Sequence, residues 1–391
     1  MIVNEKILNE LISSTNNEIL SYTVSLCHEC YAHVPAVRYE FDNKIYIAKY
    51  CRSHGISHHI IESDAKFYHT LTCSYNNPKF NFNGGVLIEG SDRCNLECPH
   101  CYHEPDNKIK DPSRDSLINL ITELPIGEKD VHRIILSGAE STLRPDFAEL
   151  VTEINALHSS MDVSVMTNGI MFNNDKFVEK ALEAGLASAN IGLNHPSYID
   201  HKTVRRKQVT AIENMHRLGA HIGYISYTMN NFNELGDILK EITTERWMPK
   251  NFRIRYGSDI GRNPGQQRLW LSDIYKAAEK WCYQNNVVFE RIEPADNNIY
   301  HVMVNIGGKT VRLIQWCDVT DIDCEELKSG PWCNFVYDGV TNFLHQIIRR
   351  DAWKNKKMFL IDSPPDRYKF ARTPPTDKLK YEDLISFNSS M

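Results

Sequence analysis

The chain has 391 residues, of which 42% are hydrophobic and 24% charged, a balance that supports a packed core and excludes the composition of disordered chains. Its 44 Lys and Arg against 50 Asp and Glu leave a formal charge of -6, the opposite of the basic footprint that binds phosphate backbones, so nucleic acid is not an expected partner. No uncharged apolar run reaches the roughly 18 residues that span a bilayer, and the charged start MIVNEKILNELISS is unlike a signal peptide, so the expectation is a cytoplasmic chain that is not membrane-spanning.

Residues 1–75 open on an amphipathic helical pattern and continue through CHEC, the β-rich stretch VPAVRYEF, a turn at Asp42-Asn43-Lys44, a second strand IYIAKY, and CRSH. This describes a small β-rich module with a possible ligand pair at each end. Residues 76–262 alternate strand and helix. The strands are GGVLIEG, RIILSG, DVSVMTNG, SANIGL, HIGYISYT and NFRIRYG, and helices are predicted near 113–124, 146–158, 174–184, 204–218 and 232–243. Strand-like runs separated by helical segments predict an α/β fold with a parallel sheet, a partial (βα)6 barrel of TIM type. After a helix near 269–284, VVFERI and then YHVMVNI-Gly307-Gly308-KTVRLIQW predict a β-hairpin with a two-residue turn, within a C-terminal cap over 263–362. Residues 363–391, with Pro364, Pro365, Pro374 and Pro375, predict an extended tail.

Eleven cysteines, an odd number without a secretion signal, argue for metal or redox chemistry rather than a disulfide framework. Cys94-Asn-Leu-Glu-Cys98-Pro-His-Cys101-Tyr follows the first strand of the βα series. Three thiolates therefore stand on one loop at the strand's C-terminal end, where parallel sheets and barrels place their chemistry. They suit an iron-sulfur cluster better than zinc, which needs a fourth ligand, and a 4Fe-4S cluster so held keeps one iron open. The alternative is a structural metal site closed by a distant ligand such as Cys73.

The triad resembles the signature of the radical S-adenosylmethionine (SAM) superfamily, with His100 in the position before the last cysteine. At the end of the second strand, Gly138-Ala139-Glu140-Ser141 is similar to the superfamily's Gly-Gly-Glu-Pro segment, Ala139 replacing the second glycine and Ser141 the proline. The resemblance implies that Cys94, Cys98 and Cys101 ligate a 4Fe-4S cluster, that S-adenosyl-L-methionine lies against Gly138, Ala139 and Glu140, and that His100 is near its adenine. It implies reductive cleavage of SAM to a 5'-deoxyadenosyl radical that abstracts hydrogen from a C–H bond, with an electron donor such as flavodoxin or ferredoxin. Asn168 at the third strand end, Asn190 on the fourth strand and Arg206 in the helix after it are further cofactor candidates. An Asn-Gly turn and a solvated helix face are the plain alternatives for Asn168 and Arg206. Arg253 and Arg255 share one face of the sixth strand by alternation, and either an anionic group on a small polar substrate or an internal carboxylate would be their partner.

In the N-terminal module, Cys27-His-Glu-Cys30 and Cys51-Arg-Ser-His54 form two ligand pairs at the ends of a hairpin, a spacing that builds a tetrahedral zinc-ribbon or rubredoxin-like site for zinc, or iron. Through TVSLCHEC, AKYCRSHG and CNLECPHCY, this module followed by a radical core resembles the tetraether lipid synthase-like family. The lipid synthases carry a further cysteine-rich segment where this chain reads YNNPKFNFNGGVLIEG, and the broad family includes enzymes acting on pterin-like and other small metabolites. The main expectation is hydrogen abstraction from a small polar substrate. Transfer of the methyl or aminocarboxypropyl group of SAM, lipid modification, and a non-catalytic metal-binding scaffold are the alternatives. Cys282, Cys317, Cys324 and Cys333 fit no compact cluster loop and stand either as buried structural cysteines or as ligands of a second cluster.

Overall fold

A computed structural model describes residues 10–15, 18–29, 33–72, 85–98, 101, 105–108, 110–122, 132–194, 201–229, 231–256, 269–292 and 301–315. The expectations for Cys30, Cys73, His100, Cys317, Cys324, Cys333 and the tail at 363–391 lie outside the described residues.

The N-terminal module is a four-stranded antiparallel sheet in sequence order: β1 (Glu18–Leu26), β2 (His33–Phe41), β3 (Lys44–Cys51) and β4 (Gly55–Glu62). The turn between β2 and β3 puts Asp42 at φ 49° and Asn43 at φ 57°, left-handed backbone that Asp and Asn tolerate and that a tight hairpin turn needs at both central positions. Val37 and Tyr39 of β2 pack with Ala48 of β3 and with Leu11 in a small apolar cluster. The outer strands β1 and β4 are the part that the sequence pattern did not single out. GISHHIIE puts adjacent histidines where an amphipathic strand would alternate.

After α1 (Ala65–Thr72), a nine-stranded sheet carries the rest of the described chain. The strands β5 (Gly85–Ser91), β6 (Arg133–Gly138), β7 (Asp162–Thr167), β8 (Leu186–Asn194), β9 (Ile222–Met229) and β10 (Asn251–Tyr256) are the six predicted runs. They pair in parallel, each with the next. The intervening helices are α2 (Arg114–Thr122), α3 (Phe147–Ala156), α4 (Asp175–Glu183), α5 (Arg206–Arg217) and α6 (Glu234–Thr244). Alternate strand residues such as Leu136, Val165, Ile191 and Ile254 join Leu150, Ile154, Ile212 and Leu239 of the helices in one large core. Each such side chain contributes about 1.5–3 kcal/mol on full burial. The intervening residues of each strand face the other way, into the interior of this α/β partial barrel.

Helix α7 (Leu271–Gln284) then makes the crossover to β11 (Phe289–Arg291), β12 (His301–Ile306) and β13 (Lys309–Ile314). The turn between β12 and β13 holds Gly307 at φ 57° and Gly308 at φ 81°, as the Gly-Gly pair predicts. The hairpin assigned from sequence to a cap region continues the main sheet. Its strand β13 runs parallel to β10, and Val311 and Leu313 extend the same core.

The module and the barrel meet at the N-terminus of α7. Buried Glu62 accepts hydrogen bonds from the Ser272 amide at 3.3 Å and from the Ser272 hydroxyl, Gln315 Nε2 donates to the Ile61 carbonyl at 3.1 Å, and Lys276 pairs with Asp64. A carboxylate at a helix N-terminus meets unsatisfied N–H groups, which offsets the cost of burying it. Among the described residues, no helix is long and apolar enough to cross a membrane.

Candidate functional site

The three cysteines of the triad stand, half-buried, on the loop that leaves β5. The Cys94 amide donates to Asn107 Oδ1 at 3.0 Å, and the Cys101 amide donates to the Cys98 carbonyl at 3.1 Å. The start of the loop is fixed by Arg93, which pairs with Asp111, and by the Ser91 hydroxyl, which donates to Asp111 Oδ1 at 2.6 Å. Burial alone would raise the Asp111 carboxyl, but the Arg93 guanidinium beside it holds it below the usual range. Burial, with Glu140, Cys98 and Cys101 nearby, pushes the Cys94 thiol up to about 12. Three thiols on one loop beside a buried carboxyl are a donor set that a metal cluster, by replacing their protons, would hold as thiolates. The donor set therefore fits a cluster held by Cys94, Cys98 and Cys101.

The loop leaving β6 is joined to this one main chain to main chain. Gly138 has φ +104°, and a Cβ at that position would run into the Ser91 carbonyl; the following Ala139 amide donates to the same carbonyl oxygen at 2.8 Å. Glycine is required at 138, whereas residue 139 is outside the left-handed region and accepts a methyl group, which explains the alanine there. Gly138→Ala is expected to cost about 1–3 kcal/mol in backbone strain and to pull the two loops apart. A lowered denaturation midpoint together with weakened SAM binding would show it; an unchanged midpoint would count against the contact.

Glu140 has no exposed surface. It accepts from the Asn168 amide at 2.7 Å, from Thr167 Oγ1 at 2.7 Å and from the Thr142 hydroxyl. Burial raises its carboxyl above the usual range against these donors, and the side chain clamps the β6 loop to the end of β7. Asn168 is the junction of the site: its Nδ2 donates to Asn95 Oδ1 at 2.7 Å and lies 3.8 Å from Cys94 Sγ, while its carbonyl accepts from Gln208 Nε2 at 2.8 Å. Gln208, fully buried, also donates to the Gly192 carbonyl at 3.1 Å and so ties the ends of β7 and β8 together. Sequence reading passed over it. The available signal was a glutamine in helical register with Ala211, Ile212 and Met215, all buried on α5.

Asn190 lies on the interior face of β8, its Oδ1 directly over Gly223 of β9. Arg206 is exposed at the start of α5. The buried guanidinium of that pair is Arg205, which Glu241 holds together with the Tyr227 hydroxyl. Cys282 is buried in the main core among apolar side chains.

In the N-terminal module, Cys27, Cys51 and His54 bring their ligand atoms within 4.8 Å of one another. His54 Nδ1 is 3.3 Å from Cys27 Sγ and 3.4 Å from Cys51 Sγ. A tetrahedron built with Zn–S of ~2.3 Å and Zn–N of ~2.0 Å has S···N edges of about 3.5 Å, so these residues fit zinc without rearrangement. The neighbouring histidines are engaged elsewhere: His58 Nδ1 is 3.0 Å from the Tyr39 hydroxyl, and His59 packs edge-on against His28.

Residues 88–242 match the family model of the radical SAM superfamily, and residues 19–63 match that of the HMPTM N-terminal zinc ribbon domain. The 7,8-dihydro-6-hydroxymethylpterin dimethyltransferase of Methanocaldococcus jannaschii is 27% identical over 303 residues, 66% of this chain and 58% of that protein. The GTP 3',8-cyclase of Limosilactobacillus fermentum is 33% identical over 115 residues, 28% of this chain and 33% of that protein. The chain thus spans from about a third to a little over half the length of these relatives. Among solved structures, Streptococcus suis SuiB bound to precursor peptide SuiA aligns with a TM-score of 0.43 at 13% identity, over 57% of this chain and 51% of that one. The matches support the ribbon-plus-core arrangement read from the sequence, and the relative they bring beside it is a pterin dimethyltransferase rather than a tetraether lipid synthase. Residues 88–242 thus resemble the radical SAM superfamily, and the stretch before them resembles a zinc ribbon of the HMPTM type.

Proposed function

We propose that the chain is a radical SAM methyltransferase acting on a carbon of a small polar heterocycle of the pterin class. The observation that carries this reading is the alignment with a pterin dimethyltransferase over 303 residues, together with a zinc ribbon of the HMPTM type. It supports methyl transfer, one of the alternatives read from the sequence, better than the main expectation of hydrogen abstraction. When bound, the cluster and SAM supply a one-electron cleavage of the sulfonium, with the electron coming from a donor such as flavodoxin or ferredoxin.

The chain's own residues do the positioning. Cys94, Cys98 and Cys101 hold the cluster, and the Gly138-Ala139 backbone, fixed on Ser91, sets the wall against which SAM would lie. Glu140, Thr167, Asn168 and Gln208 lock the ends of β6, β7 and β8 in one arrangement, so that little reorganisation is needed when the cofactor binds. Asn190 contributes a polar group on the interior face of β8.

The test is anaerobic reconstitution with iron and sulfide, followed by incubation with SAM, a reductant and 7,8-dihydro-6-hydroxymethylpterin. The expected result is a methylated pterin by mass spectrometry, accompanied by 5'-deoxyadenosine or S-adenosylhomocysteine. SAM cleavage that leaves every pterin tested unmodified would overturn the methyl-transfer reading and return hydrogen abstraction to first place. Absence of any SAM cleavage by a cluster-loaded protein would leave the scaffold alternative.

A further inference from the structure

At the end of the sheet remote from the cysteine loop, the interior face is cationic. Arg253 and Arg255 alternate on β10, and Arg312 of β13 is the register partner of Arg253. Met303 of β12 faces Arg312, and His301 follows two residues away on the same face. The Arg253 guanidinium lies 3.7 Å from the Tyr224 ring centre and donates to the Tyr224 hydroxyl at 2.8 Å. Arg255 Nε donates to Thr228 Oγ1 at 2.7 Å, and Arg312 Nε is 3.2 Å from Met303 Sδ. His301 is 3% exposed, and its Nδ1 has no hydrogen-bond partner among the described residues.

Two features of this face call for a ligand. The Arg253 guanidinium is half-buried on this face, and the tyrosine ring and hydroxyl that hold it carry no counter-charge. Among the described residues, the groups acting on Arg253 are Tyr224 and Arg255, and burial and the second guanidinium both disfavour its charge. The register neighbours on the interior face, Ser226, Thr228, Met303 and Thr310, are neutral. Besides the arginine, the buried imidazole of His301 has a nitrogen in need of a partner. Burial and the charges of Arg312 and Arg253 hold that imidazole down at about 3, so it stands there neutral and able to donate one N–H.

We propose that this face is an anion subsite, in which Arg253 and His301 receive a phosphate or carboxylate group carried by the substrate. Stacking on Tyr224 fixes the plane of the Arg253 fork in advance, which suits planar, two-point recognition of an oxyanion. Arg312 and Arg255 flank Arg253 on β13 and β10. The inference rests on the reading that the barrel encloses a small-molecule substrate, and it narrows that substrate to an acidic one: a heterocycle bearing a phosphate ester or a carboxylate rather than an uncharged ring.

The test is calorimetric titration of the reconstituted, cluster-loaded protein with inorganic phosphate and, separately, with acetate, for the natural sequence and for Arg253→Met and Arg312→Met. Saturable binding of at least one anion is expected, weakened about tenfold or more in Arg253→Met. Preference for phosphate would identify a phosphate ester and preference for acetate a carboxylate. The thermal midpoint of Arg253→Met should be little changed, because an apolar chain of similar length replaces a half-buried guanidinium whose described partner is the neutral Tyr224. If neither anion binds the natural sequence, or if both variants bind as it does, the subsite is excluded. A lowered midpoint in Arg253→Met would mark the arginine as structural, and Arg312→Met would then have to weaken anion binding for the subsite to stand. Anion binding without any methylated pterin would remove the methyl-transfer reading alone; methylation of an uncharged pterin without anion binding would remove the subsite alone.

Discussion

Alanine at any one of Cys94, Cys98 or Cys101 is expected to remove the visible absorbance of the reconstituted 4Fe-4S cluster and to abolish SAM cleavage, while the far-ultraviolet circular dichroism spectrum and the zinc content stay as they were. The cluster would be held by three protein thiolates, and losing one leaves two irons without protein ligands. The fold survives because the loop is anchored elsewhere, by the Arg93–Asp111 pair, the Cys94 amide on Asn107, and the Ala139 amide on the Ser91 carbonyl. All three cysteines are only half-buried, so the truncation opens no large core cavity and costs less than a buried Leu→Ala. Cys282→Ala is the control: that thiol packs in the apolar core, and its loss should lower stability without touching the cluster. Retention of cluster absorbance and SAM cleavage by any variant of the triad would refute the ligand assignment.

The elements that build this site were legible in the sequence to different degrees, for physical reasons. The six parallel strands were readable because each is a short run rich in β-branched and aliphatic residues between helical patterns, and the cysteine loop because its spacing admits few other uses. The direction of Glu140 was not. Its motif suggests a charge offered to the cofactor, but the carboxylate turns inward to Thr142, Thr167 and the Asn168 amide, partners on another strand that sequence spacing does not bring together. Arg206 was preferred over Arg205 for a similar reason. The wide turn of π type over His201–Arg205 precedes α5 and changes the helical phase, so the arginine that points inward is the earlier one. The cationic face on β10, β12 and β13 was half visible: Arg253 and Arg255 follow from alternation, whereas Arg312 and His301 join them only once the hairpin is seen to pair with β10.

The zinc ribbon gives the second large expected effect. Cys27→Ser or Cys51→Ser should release the metal of the module and lower its unfolding midpoint markedly, yet leave the 4Fe-4S absorbance of the barrel in place. Around the metal, Cys27, Val34 and Cys51 form a small cluster of their own, apart from Leu11, Val37, Tyr39 and Ala48 and from the buried Ile45 and Ile47 of β3. The strand ends that carry the ligands therefore depend on the metal as a cross-link, and structural zinc contributes about 10–16 kcal/mol of apparent folding free energy in isolated finger peptides. Two sulfurs and one imidazole nitrogen at tetrahedral spacing favour zinc, so metal analysis should find it, and the visible absorbance of a rubredoxin-type iron should be missing from protein prepared without cluster reconstitution. The effect should stop at the seam. Glu62 and Asp64 hold α7 by hydrogen bonds and an ion pair and Ile61 accepts from Gln315, whereas the described anchors of the cysteine loop come from the barrel, through β5, β6 and β7. Differential scanning calorimetry would then show the low-temperature transition of the ribbon shifting while the barrel transition holds. Loss of the cluster together with the zinc, in a protein whose barrel transition is intact, would mean that the two metal centres depend on each other and that this separation is wrong.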